Sequence, residues 1–301
     1  MTPDSATLRS TVRAWGEMIK FSHSVFALPF ALIALVMAGR SLPEGHPSAG
    51  QVGLIVLCMV AARSFAMTFN RVADAAIDAR NPRTAARPLV TGRISRRAAC
   101  AFLIGSGAVF VAGGAAFRAL YANEWPLRLA APTLTLLAFY SYTKRFTAAA
   151  HFVLGAAIGF APLATWVAVC PATVGPTALL LSLAVMLWIA GFDLIYACQD
   201  IAVDRRDGLF SVPARFGPAA ALWLSRGCHL ATVALLLFVG RMQHAGAIYW
   251  AGLGAVALLL AIEQSLVKPD DFSRVNLAFF TVNGVVSLVF AAAAIADQWP
   301  A

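Results

Sequence analysis

Asn70, Asp74 and Asp78 stand four residues apart in RSFAMTFNRVADAAIDARNPRTAARPLVTGRISRR, residues 63–97. On a helix that spacing stacks the three polar side chains on one face, with Arg63 and Met67 on the same stripe. Two carboxylates about 6 Å apart at the end of an apolar helix repel each other, and a low dielectric magnifies the cost. Neighbouring cations are therefore required. Arg80, Arg83, Arg87, Arg93, Arg96 and Arg97 supply more of them than two aspartates can balance, which implies a further anion. Hard oxygen ligands beside arginines suit Mg2+ bridging a phosphorylated substrate, since Mg2+ is usually held by one or two carboxylates together with substrate phosphates. The competing reading is a solvated loop whose acids and bases pair at random.

A second stretch, GFDLIYACQDIAVDRRDGLFSVPARFG (191–217), repeats the pattern. Asp200 and Asp204 are again four apart, Asp193 lies seven residues earlier on the same helical face, and Arg205, Arg206 and Arg215 follow. Acids at or within a membrane are costly and by default functional. Two such pairs at one membrane face are far more specific than one, and facing each other across a cavity they would hold two or more Mg2+ ions. Tyr140, one turn before Lys144, and Tyr196, one turn before Asp200, either meet the anion or sit in the interfacial aromatic belt. Arg63, roughly 10 Å deeper than Asn70 along the helix, needs an anionic or polar partner. That partner is either a substrate carboxylate or an acid such as Asp193. His23 and His151, near the cytoplasmic ends of their spans, are read as helix-packing or interfacial hydrogen-bonding residues.

These groups must be carried by membrane-spanning helices. The 301 residues are 60% hydrophobic and 12% charged, with a mean hydropathy of +0.76, against about 25% charged for soluble domains. Apolar runs predict nine spans, near 21–39, 51–70, 98–117, 127–142, 147–169, 177–196, 219–240, 246–267 and 275–296, and hence an all-α polytopic membrane protein. Residues 1–20, with Arg9, Arg13 and Trp15, suit a membrane surface. The many later spans argue against a cleaved signal peptide. Seventeen of the 23 basic residues fall at one set of span ends. Arg40, Arg118, Arg128 and Arg241 fall at the other, and Arg63 and Arg226 lie within spans. That bias predicts a cytoplasmic N-terminus and cytoplasmic acid-bearing loops. The net charge of +9 thus reflects topology rather than nucleic-acid binding. Five scattered cysteines without a CxxC pair indicate neither disulfides nor a thiolate metal site.

NRVADAAIDARNPRTAARPL resembles the NxxxDxxxD motif of the UbiA superfamily of intramembrane aromatic prenyltransferases, and DLIYACQDIAVD its second aspartate motif. YSYTKRFTAAAHFVLGAAIGFAP is similar to the segment carrying a Lys-Arg pair. KFSHSVFALPFAL and SLVKPDDFSRVNLAFFTVNG look most like the 4-hydroxybenzoate polyprenyltransferase-like branch, including members assigned to menaquinone synthesis through futalosine. The resemblance implies nine helices bundled around a central cavity with a cytoplasmic polar cap, a single domain over 1–301, in a bacterial inner membrane. It implies that Asp74, Asp78, Asp200 and Asp204 hold Mg2+ on the diphosphate of a polyprenyl donor. Asn70 and Asp193 support that site, and Arg83, Arg87, Lys144 and Arg145 bind diphosphate oxygens. The acceptor is an aromatic acid, 4-hydroxybenzoate or a dihydroxynaphthoate, whose ring carbon attacks the allylic cation. Asp193 is the candidate base for the ring proton, and Arg63 for the acceptor carboxylate. A transporter of an anionic lipid or metabolite is the rival reading, since intramembrane acids and arginines also build translocation paths.

Overall fold

The computed structural model describes residues 13–20 and 24–299. Arg9, His23 and the first twelve residues of the expected surface segment lie outside them. Among the described residues the chain is helical throughout, with one isolated bridge between Lys268 and Asp271 and no strand. The principal helices are α1 (Ser24–Gly39), α2 (Ala49–Arg80), α3 (Arg96–Tyr121), α4 (Ala130–Thr143), α5 (Ala150–Val169), α6 (Pro176–Ala197), α7 (Pro218–Met242), α8 (Ala247–Leu266) and α9 (Leu277–Gln298).

Seven helices are long and apolar enough to cross a membrane, α6 being counted with its continuation to Asp207. The other two, α1 and α4, run 16 and 14 described residues. At 1.5 Å per residue they rise about 24 and 21 Å, short of a hydrocarbon core of about 30 Å. The chain enters α4 through a separate four-residue turn, Trp125–Arg128, which holds Pro126 near its start.

α2 explains where the first acids stand. It opens on a capping box, in which the Ser48 hydroxyl accepts from the Gln51 N–H and the Gln51 side chain accepts from the Ser48 N–H. Its 32 residues span about 48 Å, well beyond the hydrocarbon thickness. The surplus turns carry Asp74 and Asp78 out to the polar end. Just past the helix, the Thr84 hydroxyl donates to the Asp78 carbonyl, and the Asn81 side chain accepts from the Arg83 N–H. The arginine-rich segment therefore folds back over the end of α2 instead of trailing into solvent. The segment 13–19 is pinned to it, with Met18 and Ala14 buried against Ile94 and Ala99 and Arg93 donating to Glu17. This part of the expected surface segment is thus packed on one face.

α6 is the most enclosed of the spanning helices. It packs on α5 and α7, whereas α2 packs on α3 and α4, so α2 and α6 form facing walls. Close approach of α5 to α6 depends on Gly155 and Gly159: a Cβ at either would lie 2.5 Å from backbone atoms of Met186. After Ala197 the chain tightens into a 3-10 turn, Cys198–Asp200, then resumes as Ile201–Asp207 and stops at Gly208, where φ is +66°. The sequence predicts one continuous helical face through Asp193, Asp200 and Asp204. The change of winding turns the three acids to separate partners. α9 begins as a π-helix, Leu277–Val282, which places Phe279 in the cavity wall.

Candidate active site

Between the α2 and α6 walls lies a cavity of about 300 Å³. Asp74, its side chain 2% exposed, accepts from Lys144 Nζ at 2.6 Å, Arg145 Nη2 at 3.0 Å and Asn70 Nδ2 at 3.0 Å. Asp78 accepts from Arg87 Nη1 at 2.5 Å. Across the cavity, Asp200 accepts from Arg83 through Nη2 and Nε and from Asn81 Nδ2 at 2.9 Å. Asp204 accepts from the Ser211 hydroxyl at 2.7 Å. Each acid thus carries its own donor, which answers the repulsion expected between neighbouring carboxylates. The two clusters stand at the same end of the bundle. Asn81, the residue after α2, reaches Asp200 directly.

Of the residues singled out from sequence, Arg63, Asn70, Asp74, Asp78, Arg83, Arg87, Tyr140, Lys144, Asp193, Tyr196, Asp200 and Asp204 line this one cavity. Arg145 meets Asp74 without lining it, and its guanidinium lies 4.7 Å from the Tyr142 ring centroid. Tyr196 accepts from Arg83 Nη1 at 2.8 Å beneath a cation–π contact of 5.0 Å, so it faces the cavity rather than an aromatic belt. Arg63 makes no pair with Asp193. Its Nη2 donates to the Lys20 carbonyl at 3.1 Å, and Asp193 is taken by His151. Not every arginine is spare for an anion, since Arg80 pairs with Asp207 and Arg93 with Glu17.

His151, read from sequence as a packing or interfacial hydrogen-bonding residue, is buried in the cavity wall. The Val212 N–H donates to its Nε2 at 3.3 Å, so the ring proton sits on Nδ1 and is donated to Asp193 Oδ2 at 2.7 Å. That bond steadies a carboxylate in the cavity. Lys20, Arg71, Asn81 and Ser211 also line the cavity, and sequence reasoning passed over their part in it. Arg71 was counted among the basic span ends, yet it lies inside α2 and is buried. Asn81 had one signal available, a polar residue directly after a long helix and before Pro82. Burial, compounded by the positive charges of Arg71, Arg87 and Arg83, holds the Lys20 ammonium below the ordinary lysine range.

All acidic and amide donors at the site present oxygen, which is the chemistry of Mg2+ rather than of a soft metal. Among the described residues no three His, Cys, Asp or Glu side chains are gathered as a metal cluster. Asp74, Asp78 and Asp200 are instead neutralised by Lys and Arg, the charges that a divalent ion would replace. The donor set fits. A second cavity, of about 390 Å³, lies near the start of α2. Its Gln51 and Asn123 are spent on helix capping and on the carbonyls of Val167 and Ala168, so it offers no comparable chemistry.

The fold and this site define an integral membrane protein whose helices enclose, at one end, a cavity lined by paired aspartates, lysine and arginines. The UbiA prenyltransferase family model matches residues 27–293, and the chain belongs to that family. It is 31% identical over 255 residues to a 4-hydroxybenzoate octaprenyltransferase of Nitrosomonas eutropha, covering 82% of this chain and 84% of the relative. Its identity to the protein of that name from Azoarcus is 30% over 295 residues, covering 96% and 98%. A UbiA homologue from Aeropyrum pernix K1 superposes with a TM-score of 0.80 at 32% identity, over 91% of this chain and 98% of that one. A UbiA homologue from Archaeoglobus fulgidus bound to GPP and Mg2+ shares the fold, with a TM-score of 0.69 at 21% identity, over 95% and 99%.

Proposed function

We propose that the chain, acting as one domain over 1–301, transfers a polyprenyl group from its diphosphate to a ring carbon of an aromatic acid, in the making of a quinone. The observation that carries this is the convergence of Asp74 and Asp78 with Asp200 and Asp204 on one cavity already furnished with Lys144, Arg145, Arg83 and Arg87. The relatives named above are 4-hydroxybenzoate octaprenyltransferases, so 4-hydroxybenzoate is the favoured acceptor and a dihydroxynaphthoate the second. The relatives and structures described give the transport reading no support.

The four aspartates, with Asn70 beside Asp74, would hold Mg2+, which when bound supplies positive charge for the departing diphosphate. The chain's own cations do the rest of the anion binding. Lys144, Arg145, Arg83 and Arg87, released from the carboxylates, turn to diphosphate oxygens and stabilise the charge that develops as the C–O bond breaks. Tyr196 and Tyr140 face the allylic end of the donor. Arg63 meets the acceptor carboxylate. Asp193, its one oxygen held by His151, keeps the other free to take the ring proton after carbon attack. The N-terminus and the acid-bearing loops face the cytoplasm, in the inner membrane of a bacterium.

The test is incubation of membranes containing the protein with Mg2+, a radiolabelled polyprenyl diphosphate and each acid in turn. Prenylated acid should form, and it should vanish in excess chelator. Absence of product with every acid and donor length overturns the assignment.

A further inference from the structure

Arg71 is the cation that the site does not account for. It is 4% exposed, lies inside α2 and lines the cavity. Among the described residues it has no hydrogen bond or ion pair, and its Nε is buried without a partner. A buried guanidinium is strongly penalised unless an anion meets it. Asp78, the nearby acid, is spent on Arg87, and Asp74 on Lys144 and Arg145. The missing anion is therefore a ligand.

Geometry narrows its chemistry. Arg63 and Arg71 are eight residues apart on one helix, about 12 Å at 1.5 Å per residue. Both line the cavity, as does Tyr140. A benzene ring with a carboxylate and a para hydroxyl, plus a hydrogen bond of about 2.9 Å at either end, is about as long as that rise between the two backbone positions. Phe26, Phe192 and Phe279 furnish an apolar wall alongside. Arg63 is the deeper of the two, and Arg71 lies one turn from Asp74 at the diphosphate end.

We propose that Arg71 binds the acceptor's phenol oxygen as the phenolate, while Arg63 takes the carboxylate. The inference rests on the aromatic-acid reading above and adds a catalytic residue to it. The phenol proton is lost to solvent on binding, so the ring is a phenolate, far more nucleophilic at the carbon ortho to oxygen. That carbon forms its bond to C1 of the prenyl group as the C1–O bond breaks and diphosphate leaves with the electron pair. The neutral dienone then gives its ring proton to Asp193 and regains the aromatic phenolate, held again by Arg71. The orientation also sets the position of attack, because only the ortho carbons lie at the diphosphate end.

The test uses the full-length protein in detergent with 4-hydroxy-3-nitrobenzoate, whose phenolate is coloured, titrated with pH in the absence of donor. Bound to the unaltered protein, the probe should ionise about 1–3 pH units below the free acid, as expected for an acid beside a cation. Arg71→Lys should keep part of that shift. Arg71→Gln should abolish it while still binding the probe, and should lose about 100-fold or more in turnover with 4-hydroxybenzoate. An equal shift in Arg71→Gln overturns the inference, as does loss of donor affinity with the shift retained, which would assign Arg71 to the diphosphate. If neither the unaltered protein nor any variant binds the probe, the aromatic-acid reading itself falls, and this proposal with it.

Discussion

Asp74→Asn is the perturbation that most directly separates chemistry from scaffolding. The side chain is 2% exposed and accepts three hydrogen bonds, two of them from Lys144 and Arg145. An asparagine keeps one acceptor oxygen but turns an NH2 group toward the other cation, so one charge-assisted bond is lost and the other weakened, about 1.5–3 kcal/mol or somewhat more in gross terms. Lys144 and Arg145 are 32% and 34% exposed and recover much of that by hydration. The net loss of stability should therefore be about 1–3 kcal/mol. Turnover should fall far more, by at least about 100-fold, the usual cost of removing one preorganised electrostatic group. The double variant Asp74→Asn/Lys144→Met removes one of these two cations, and should regain stability without regaining activity. Thermal unfolding of the extracted protein gives the first quantity, and radiolabelled prenyl transfer in membranes the second. Turnover within about threefold of the unaltered protein, about 0.7 kcal/mol of barrier, in either variant would refute a direct role for this carboxylate.

Other outcomes are expected from the same geometry. Asp200→Asn unfastens Arg83 and Asn81, so the donor KM should rise by about 10-fold or more and limited proteolysis should cut residues 81–95 faster. His151→Gln leaves donor binding intact but withdraws the Nδ1–H from Asp193. It should lower kcat with little change in donor KM, and equal losses in both would make it structural. Gly159→Ala drives a methyl into the Met186 backbone and should destabilise the extracted protein by about 1–3 kcal/mol. Gly105→Ala, with nothing within 4 Å, serves as the neutral comparison.

Much of the candidate site was legible because its signals are local. A four-residue spacing places Asn70, Asp74 and Asp78 on one stripe of any helix, and the structure keeps α2 unbroken through all three. Along α6 the sequence does not mark the 3-10 turn at Cys198–Asp200, yet Asp193, Asp200 and Asp204 still line one cavity. Hydropathy reports how greasy a run is, not where the helix within it starts, and α4 begins only after a separate turn. His151 gave no signal at all, because its partners Asp193 and Val212 lie 42 and 61 residues away.

The amino-acid sequence by itself determined that this chain lives in a membrane, since no soluble core could bury so much apolar surface. It also determined that two acid pairs with attendant arginines would carry the chemistry, since spacing and charge are properties of the chain alone. Only the tertiary structure decided which cation neutralises which acid, and that among the described residues Arg71 is left with none. Partner choice depends on distances of a few ångströms between residues on separate helices, and those distances exist only once α2, α4, α5 and α6 have packed around a common cavity.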